Sequence, residues 1–419
     1  MIFFKKVRGT QDIYPPKSEL YQNIRKIIEK ILFINNYSYI LFPTFEYYET
    51  FNNSLGNETD IINKEMFLFL DRKKRTLAMR PEGTISTARL VCENKIIKEN
   101  IPLKFYYWAN MFRYERPQKG RYREFWQLGV EFINSKGFIT DYQLLKLITD
   151  ILNELEIYDF FFSLNYLGNI ENRNNYKKKI ENIIDKNKIL FCVNCQLRYK
   201  KNTLRILDCK ICEKNINIFP SYEEFLDNKD KEYIKNINNL LKKNNIKYDY
   251  DYHLVRGLDY YTGIVFEVKS FNKKSILGGG RYDDLYEKMG KRANAIGFAI
   301  GIERLIDYLK ENNIKLKENK NNIDIFFFLL TDIFYSEVLF WKEKFLKFSL
   351  ITEFNLEIIN KKKLSIFINY YKPRLLIILE KKHFNYEKIK IKDILKNKIF
   401  FVEKNILFDY ICNYLKKNN

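Results

Sequence analysis

The stretch LVRGLDYYTGIVFEV, residues 254–268, ends as an alternating apolar strand but opens on Arg256, Gly257, Asp259, Tyr260 and Tyr261. A guanidinium is charged at every accessible pH, so a fixed cation beside two phenols at a strand mouth is equipped to stabilise an anion without any proton transfer. A second set lies in EFWQLGVEFI, residues 124–133. The two-residue strand period puts Phe125, Gln127, Gly129 and Glu131 on one face, an aromatic plate, an amide, bare backbone and a carboxylate in sequence. Trp126, Leu128, Val130 and Phe132 share the other face, which reads as core. On the preceding run, KFYYWANMFRYE, Arg113 and Glu115 likewise share a side. Upstream, LAMRPEGT offers Glu82 and Thr84, a carboxylate and a hydroxyl suited to an ammonium group.

Further residues extend this chemistry. The loop RPQKGRYR carries Arg116, Gln118, Lys119, Arg121 and Arg123, within reach of phosphates or a nucleic-acid end. SILGGGRYDDL has three successive glycines that allow close backbone approach, then Arg281 and Tyr282. In AIGFAIGIERLIDYL, Arg304 follows Gly301 into the first turn of a helix, where free N–H groups favour anions. Cys192, Cys195, Cys209 and Cys212 form CVNC and CKIC with thirteen residues between them. That is the form of a four-thiolate zinc site, slightly tighter than usual, and also that of four ordinary buried or free thiols.

These residues need elements to position them. SELYQNIRKIIEKILF has Leu20, Ile24, Ile27, Ile28, Ile31 and Leu32 at helical spacing, and YSYILFPTFEYY reads as a strand with Pro43 at an edge or bend. The runs around Arg113 and Glu131 read as an antiparallel hairpin with a long basic loop. Residues 165–250, rich in Lys and Asn, read as an insertion. KENKNN, residues 317–322, reads as a linker. Beyond it, short apolar runs alternate with helical ones, the pattern of a small α/β domain with a sheet covered on both faces. All fifteen glycines lie at or before Gly301, so this tail has none.

The 419 residues suffice for two or three domains. Lys plus Arg exceed Asp plus Glu by 21, and the insertion and the tail each hold +7 of that excess. A polyanionic partner is one reading, and AT-rich coding, which also supplies the Asn, Ile, Phe and Tyr, is the other. No apolar run reaches the roughly 18–20 residues that span a bilayer, so a soluble protein with no membrane partner is expected. Six cysteines and an N-terminus without a secretory layout lead us to expect the reducing cytoplasm.

Together these segments resemble the class II aminoacyl-tRNA synthetases, and within them the histidyl-tRNA synthetases. VRGTQDIYP is similar to the opening signature, FPTFE to motif 1, FRYERPQKGRYREFWQLGVEF to motif 2 and GFAIGIERL to motif 3, while RGLDYYTGIVFE and GGGRYDDL resemble the two histidine-specific motifs. The likeness covers essentially residues 1–310 and thins beyond. It implies an α+β fold: an antiparallel sheet flanked by helices in a catalytic domain over 1–322, a mainly helical insertion at about 165–250, and an α/β anticodon-binding domain over 323–419.

It also implies roles. Arg113 would hold the ATP α-phosphate, Glu115 the adenine amino group and Phe125 the base, with Arg121 and Arg304 on the outer phosphates. Glu82, Thr84 and Gln127 would grip the α-amino group of L-histidine, and Glu131 and Tyr261 its ring nitrogens, with Tyr282 lining that pocket. Arg256 would lie between the histidine carboxylate and the α-phosphate, and Arg116 and Gln118 would meet the acceptor end of tRNA(His). ATP with Mg2+ is implied as substrate, and a homodimer through motif 1. A regulatory paralogue without charging activity and a synthetase for another amino acid are the competing readings. The retained Arg256, Arg113, Arg304 and tail disfavour the first, and the histidine motifs the second.

Overall fold

The computed structural model describes residues 4–55, 61–200, 202–209, 211–255, 260–272, 274–316, 323–381 and 388–416. The chain divides into two compact units, Met1–Lys317 and Glu318–Asn419.

In the first unit the elements run α1 (Lys17–Ile34), β1 (Ser38–Tyr39), β2 (Phe45–Tyr47), α2 (Tyr48–Leu55), β3 (Leu68–Leu70), β4 (Thr76–Met79), α3 (Thr84–Glu93), β5 (Leu103–Phe112) and β6 (Glu124–Ile133). There follow α4 (Phe138–Glu154), β7 (Phe160–Tyr166), α5 (Ile170–Lys186), α6 (Val193–Arg198), α7 (Asn228–Lys243), β8 (Tyr248–Tyr250), β9 (Thr262–Ser270), β10 (Ser275–Arg281), α8 (Asp284–Lys288), β11 (Ala295–Gly301) and α9 (Ile302–Glu311). Eight strands form one sheet in the order β1-β5-β6-β11-β10-β9-β7-β8. Its central pairings are antiparallel, and only the edge pairs β1–β5 and β7–β8 are parallel.

One face of this sheet is core. Leu128, Val130 and Phe132 of β6 pack there with Ile296, Phe298 and Ile300 of β11, under α1, α4, α7 and α9. The helix α1 buries Tyr21, Ile24, Ile28 and Leu32, a stripe at three- and four-residue spacing. Leu144, Leu145, Ile148, Ile151 and Leu152 of α4 are fully buried, and each such side chain contributes roughly 1.5–3 kcal/mol over leaving it in water. The opposite face carries Gln127, Glu131 and the glycines of β6, β10 and β11.

Two expectations need correction. The run around Pro43 is not one strand: β1 joins the large sheet, whereas β2 joins a three-stranded sheet in the order β2-β4-β3. Proline lacks the N–H that a continuous ladder requires, and the Arg80 guanidinium instead gathers the freed carbonyls of Phe42 and Pro43 at 2.8 and 3.1 Å. The insertion is also narrower than 165–250. Ile237 and Leu241 of α7 belong to the main core, because the apolar stripe of α7 packs on α4. The inserted module with a core of its own runs from α5 to Leu226 and is built on Tyr176, Ile180, Ile184, Phe191, Phe219 and Tyr222.

In the second unit, β12 (Ile325–Leu329), α10 (Tyr335–Leu346), β13 (Thr352–Phe354), α11 (Leu364–Tyr371), β14 (Leu375–Leu379), β15 (Lys388–Asp393), β16 (Lys398–Glu403) and α12 (Leu407–Lys416) form a sheet in the order β13-β12-β14-β15-β16 with helices on both faces. Ile325, Phe327 and Leu329 face the core under α10 and α12, and Phe326 and Phe328 face α11, so both faces of β12 are covered. Without glycine, the left-handed turn positions fall to Ser349, Lys372 and Asn397 (φ 57°, 45° and 49°), which non-glycine residues adopt at some cost.

Candidate active site

This second face is floored by glycines. Gly129 of β6 pairs with Tyr107 of β5 and Ala299 of β11, and Gly297 of β11 pairs with Glu131 and with Gly280 of β10. A Cβ at 297 would lie 2.0 Å from Glu131 Oε2 and 2.6 Å from the Val130 carbonyl oxygen. The bare backbone at this position is what lets the Glu131 carboxyl lie flat across the sheet.

Two carboxyls are buried there. Glu131, 1 % exposed, accepts at Oε1 from the Thr84 hydroxyl at 2.9 Å and at Oε2 from the Tyr282 hydroxyl. Burial pushes its pKa up to about 8, against the pull of these two hydrogen bonds and with a further push from Glu82. Glu82 turns back to cap α3, accepting from the Thr84 and Ile85 N–H groups at 2.8 and 2.7 Å, a geometry that satisfies two helix-end donors. Its pKa is also raised, by burial, although these N–H groups and Arg113 oppose the rise. Gln127 is 9 % exposed, and its Oε1 has no hydrogen-bond donor within the chain among the described residues. A group of this kind is costly unless something else arrives to pair with it.

Two functional candidates, Tyr107 and Arg173, were missing from the sequence reading, and Tyr260 was singled out there without a role of its own. The buried Tyr107 hydroxyl faces Glu131, Glu82 and Thr84, and burial together with those carboxyls pushes its pKa far up. The Tyr260 hydroxyl reaches Glu82 Oε2 at 3.4 Å, and its ring lies against Tyr261 and Tyr282, with centroids 4.9 and 5.7 Å away. Arg173, on α5 of the inserted module, donates to the Tyr261 carbonyl at 2.9 Å and reaches Asp284 at 3.5 Å. The odd-number period shared with Arg113 was a signal for Tyr107; nothing local pointed to Arg173.

At the other end of the hairpin, Arg113 donates from Nε to the Pro81 carbonyl at 2.8 Å and spreads its guanidinium over Phe125, 5.3 Å from the ring centroid. Glu115 is paired with Arg121 at 3.1 Å, and Arg121 is exposed. With the guanidinium in solvent, such a pair is worth about 1 kcal/mol, so a polyanion can displace it. Arg304 lies in the first turn of α9, exposed, with its Nε on the Gly120 carbonyl at 3.1 Å. Lys119 pairs with Glu311 at the far end of the same helix at 2.8 Å, so α9 tethers the hairpin loop at two points. Arg116 and Gln118 are exposed on that loop. Arg281, read beside Tyr282 in the sequence, is buried in ion pairs with Asp141 and Asp283. Arg256 and Asp259 lie outside the described residues. In the inserted module, the sulfurs of Cys192, Cys195, Cys209 and Cys212 lie within 4.8 Å of one another.

The chain matches a family profile described as histidyl-tRNA synthetase over residues 9–171 and 208–305. It is 42% identical over 335 residues to the histidine–tRNA ligase of Mycoplasma mycoides subsp. mycoides SC, covering 78% of this chain and 80% of that protein. It is 37% identical to the corresponding ligase of Phytoplasma mali, covering 94% of each. Among solved structures it is similar to apo histidyl-tRNA synthetase of S. aureus, with a TM-score of 0.82 and 26% identity, covering 98% of this chain and 100% of that one. A fold with a glycine-floored, acid-lined face, matched along most of its length in sequence and in shape, makes this chain a member of the histidyl-tRNA synthetase family.

Proposed function

We infer that the protein is a histidine–tRNA ligase, which joins L-histidine to ATP as histidyl-adenylate with release of pyrophosphate and then transfers histidine to the 3′ end of tRNA(His). The observation that carries the reading is the buried Glu131 carboxyl held between Thr84 and Tyr282 on a glycine floor. A carboxyl that keeps its proton up to about pH 8 suits a ring nitrogen that is unprotonated above about pH 6.5. With Tyr261 at the second ring nitrogen, an amino acid lacking both nitrogens would strand buried polar groups, and discrimination of this type reaches about 10⁴-fold.

The remaining assignments follow from charge and reach. Glu82, Thr84 and the unpaired Gln127 Oε1 are suited to the α-ammonium group. Arg113 beside Phe125 offers a cation for the α-phosphate and a ring for adenine, with Glu115 for the adenine amino group. Arg121 and Arg304 serve the outer phosphates of MgATP, and Arg116 and Gln118 the tRNA acceptor end. Arg256, a fixed cation between the two reacting anions, stabilises charge as a carboxylate oxygen attacks the α-phosphorus and the bond to pyrophosphate breaks. The terminal ribose hydroxyl then attacks the histidyl carbonyl carbon, and AMP leaves with the electron pair of the broken bond. The protein contributes alignment and charge compensation.

A cytoplasmic homodimer accompanies this reading. Exposed Leu41, Phe45, Leu68, Phe69 and Leu70, on and beside the small β2-β4-β3 sheet, supply an apolar surface for a second copy. Among the described residues no helix is long and apolar enough to cross a membrane. A charging assay with purified tRNA(His) and each candidate amino acid tests the function. Histidine-specific, ATP-dependent charging is expected, and histidine binding without charging would overturn it in favour of a regulatory role.

A further inference from the structure

We propose that Cys192, Cys195, Cys209 and Cys212 form a closed four-thiolate zinc site that holds the inserted module together. The four sulfurs are gathered within 4.8 Å of one another, close to the spacing of a tetrahedral site. Cys192 Sγ lies 3.8 Å from Cys209 Sγ, and Cys195 Sγ lies 3.8 Å from Cys212 Sγ. Zinc–sulfur bonds of about 2.3 Å in a tetrahedron require sulfur–sulfur edges of about 3.8 Å, whereas a disulfide requires about 2.05 Å. None of the four is in a disulfide. The Cys192 backbone N–H points at Cys212 Sγ at 3.2 Å, a contact that stabilises a thiolate sulfur more than a thiol.

Position and charge favour a structural ion. Cys195, Cys209 and Cys212 are buried members of the module's own core, so the site has no open side for a substrate. Zinc with four thiolates carries a net charge of −2. The segment between Cys195 and Cys209 holds Arg198, Lys200, Lys201 and Arg205 against Asp208 alone, a local excess of opposite sign. The two CxxC pairs come from opposite ends of a chain segment made of the short helix α6, a 3₁₀ turn over Thr203–Ile206 and loop. Such short elements have few hydrogen bonds of their own to fix them, and a metal cross-link adds to the module's small core.

The full-length protein, purified from zinc-supplemented cells and dialysed, is expected to contain one zinc per chain by elemental analysis. Growth with cobalt is expected to give the visible bands of tetrahedral Co(II) with thiolate-to-cobalt charge transfer. Titration with a mercurial reagent should release that zinc in step with the modification of four thiols, a measurement that does not depend on any variant folding. Cys195→Ser and Cys209→Ser are expected to lose the metal, and Cys92→Ser and Cys412→Ser to keep it. Less than a tenth of an equivalent of zinc, iron in its place, or two disulfides in protein handled without oxidant would each overturn the proposal.

Discussion

Tyr107 lies directly opposite Gly129 on the β5–β6 ladder, and its ring fills the volume that a side chain at 129 would need. A Cβ there would fall 1.9 Å from Tyr107 Cζ, and one at Gly83 would fall 2.2 Å from the same atom. The ring is threaded between two bare backbones, which brings its hydroxyl up to Glu131 and Glu82.

Gly129→Ala is therefore expected to displace Tyr107 and distort the pocket floor. Overpacking of this kind costs about 1–3 kcal/mol. Thermal unfolding should shift down, and the KM for histidine in ATP–pyrophosphate exchange should rise at least tenfold. An unchanged KM would show that the ring moves aside without consequence.

Glu131 sets a pH dependence of stability. Its folded-state pKa is raised by burial to about 8 from an ordinary 4.5, so the folded protein holds a proton that the unfolded chain has released. The contribution is fully present below about pH 4.5 and is lost as pH rises to about 8, at up to about 1.4 kcal/mol per pH unit. The ligand-free protein should lose thermal stability between about pH 5 and 8, and Glu131→Gln should flatten that slope. Parallel slopes in the two proteins would rule out Glu131 as the source.

We expect Arg173 to act through Tyr261 as a positioning residue. Its guanidinium, on a residue 9 % exposed, ties the inserted module to the Tyr261 carbonyl and to Asp284. Arg173→Ala should raise the KM for histidine several-fold through Tyr261 while leaving the KM for ATP within twofold, and Arg173→Lys should restore part of the loss. Equal changes in both constants would point to general destabilisation instead.

Arg256→Ala should leave histidine binding measurable by calorimetry and remove most adenylate formation in the exchange assay, as the proposed role places its charge on the reacting anions rather than on the ring. Near-normal exchange would remove this role.

Much of the site was legible in the sequence because strand geometry is local. The two-residue period separated Gln127 and Glu131 from Leu128 and Val130 before any partner was known, and in the structure Leu128 and Val130 join the main core while Glu131 meets Thr84 and Tyr282. The hairpin and the placement of Arg304 in the first turn of its helix were read the same way. Other features could not be. Arg281 is held by Asp141, a residue 140 positions away, and Arg173 meets Tyr261 across 88. Pro43 interrupts what composition reads as one strand, and α7 leaves the insertion for the main core because its apolar stripe finds α4.

The amino-acid order alone determined which chemical groups the protein owns: the carboxyls at 82 and 131, the cations at 113, 256 and 304, the aromatic residues, the glycines that permit close approach, and four thiols in two pairs. The tertiary structure decided which of these meet and in what ionic state. Burial of Glu131, the threading of Tyr107 past Gly129 and the 3.8 Å spacing of the cysteine sulfurs come from strand register and packing. Those are sums over contacts distant in the chain, and no local period encodes them.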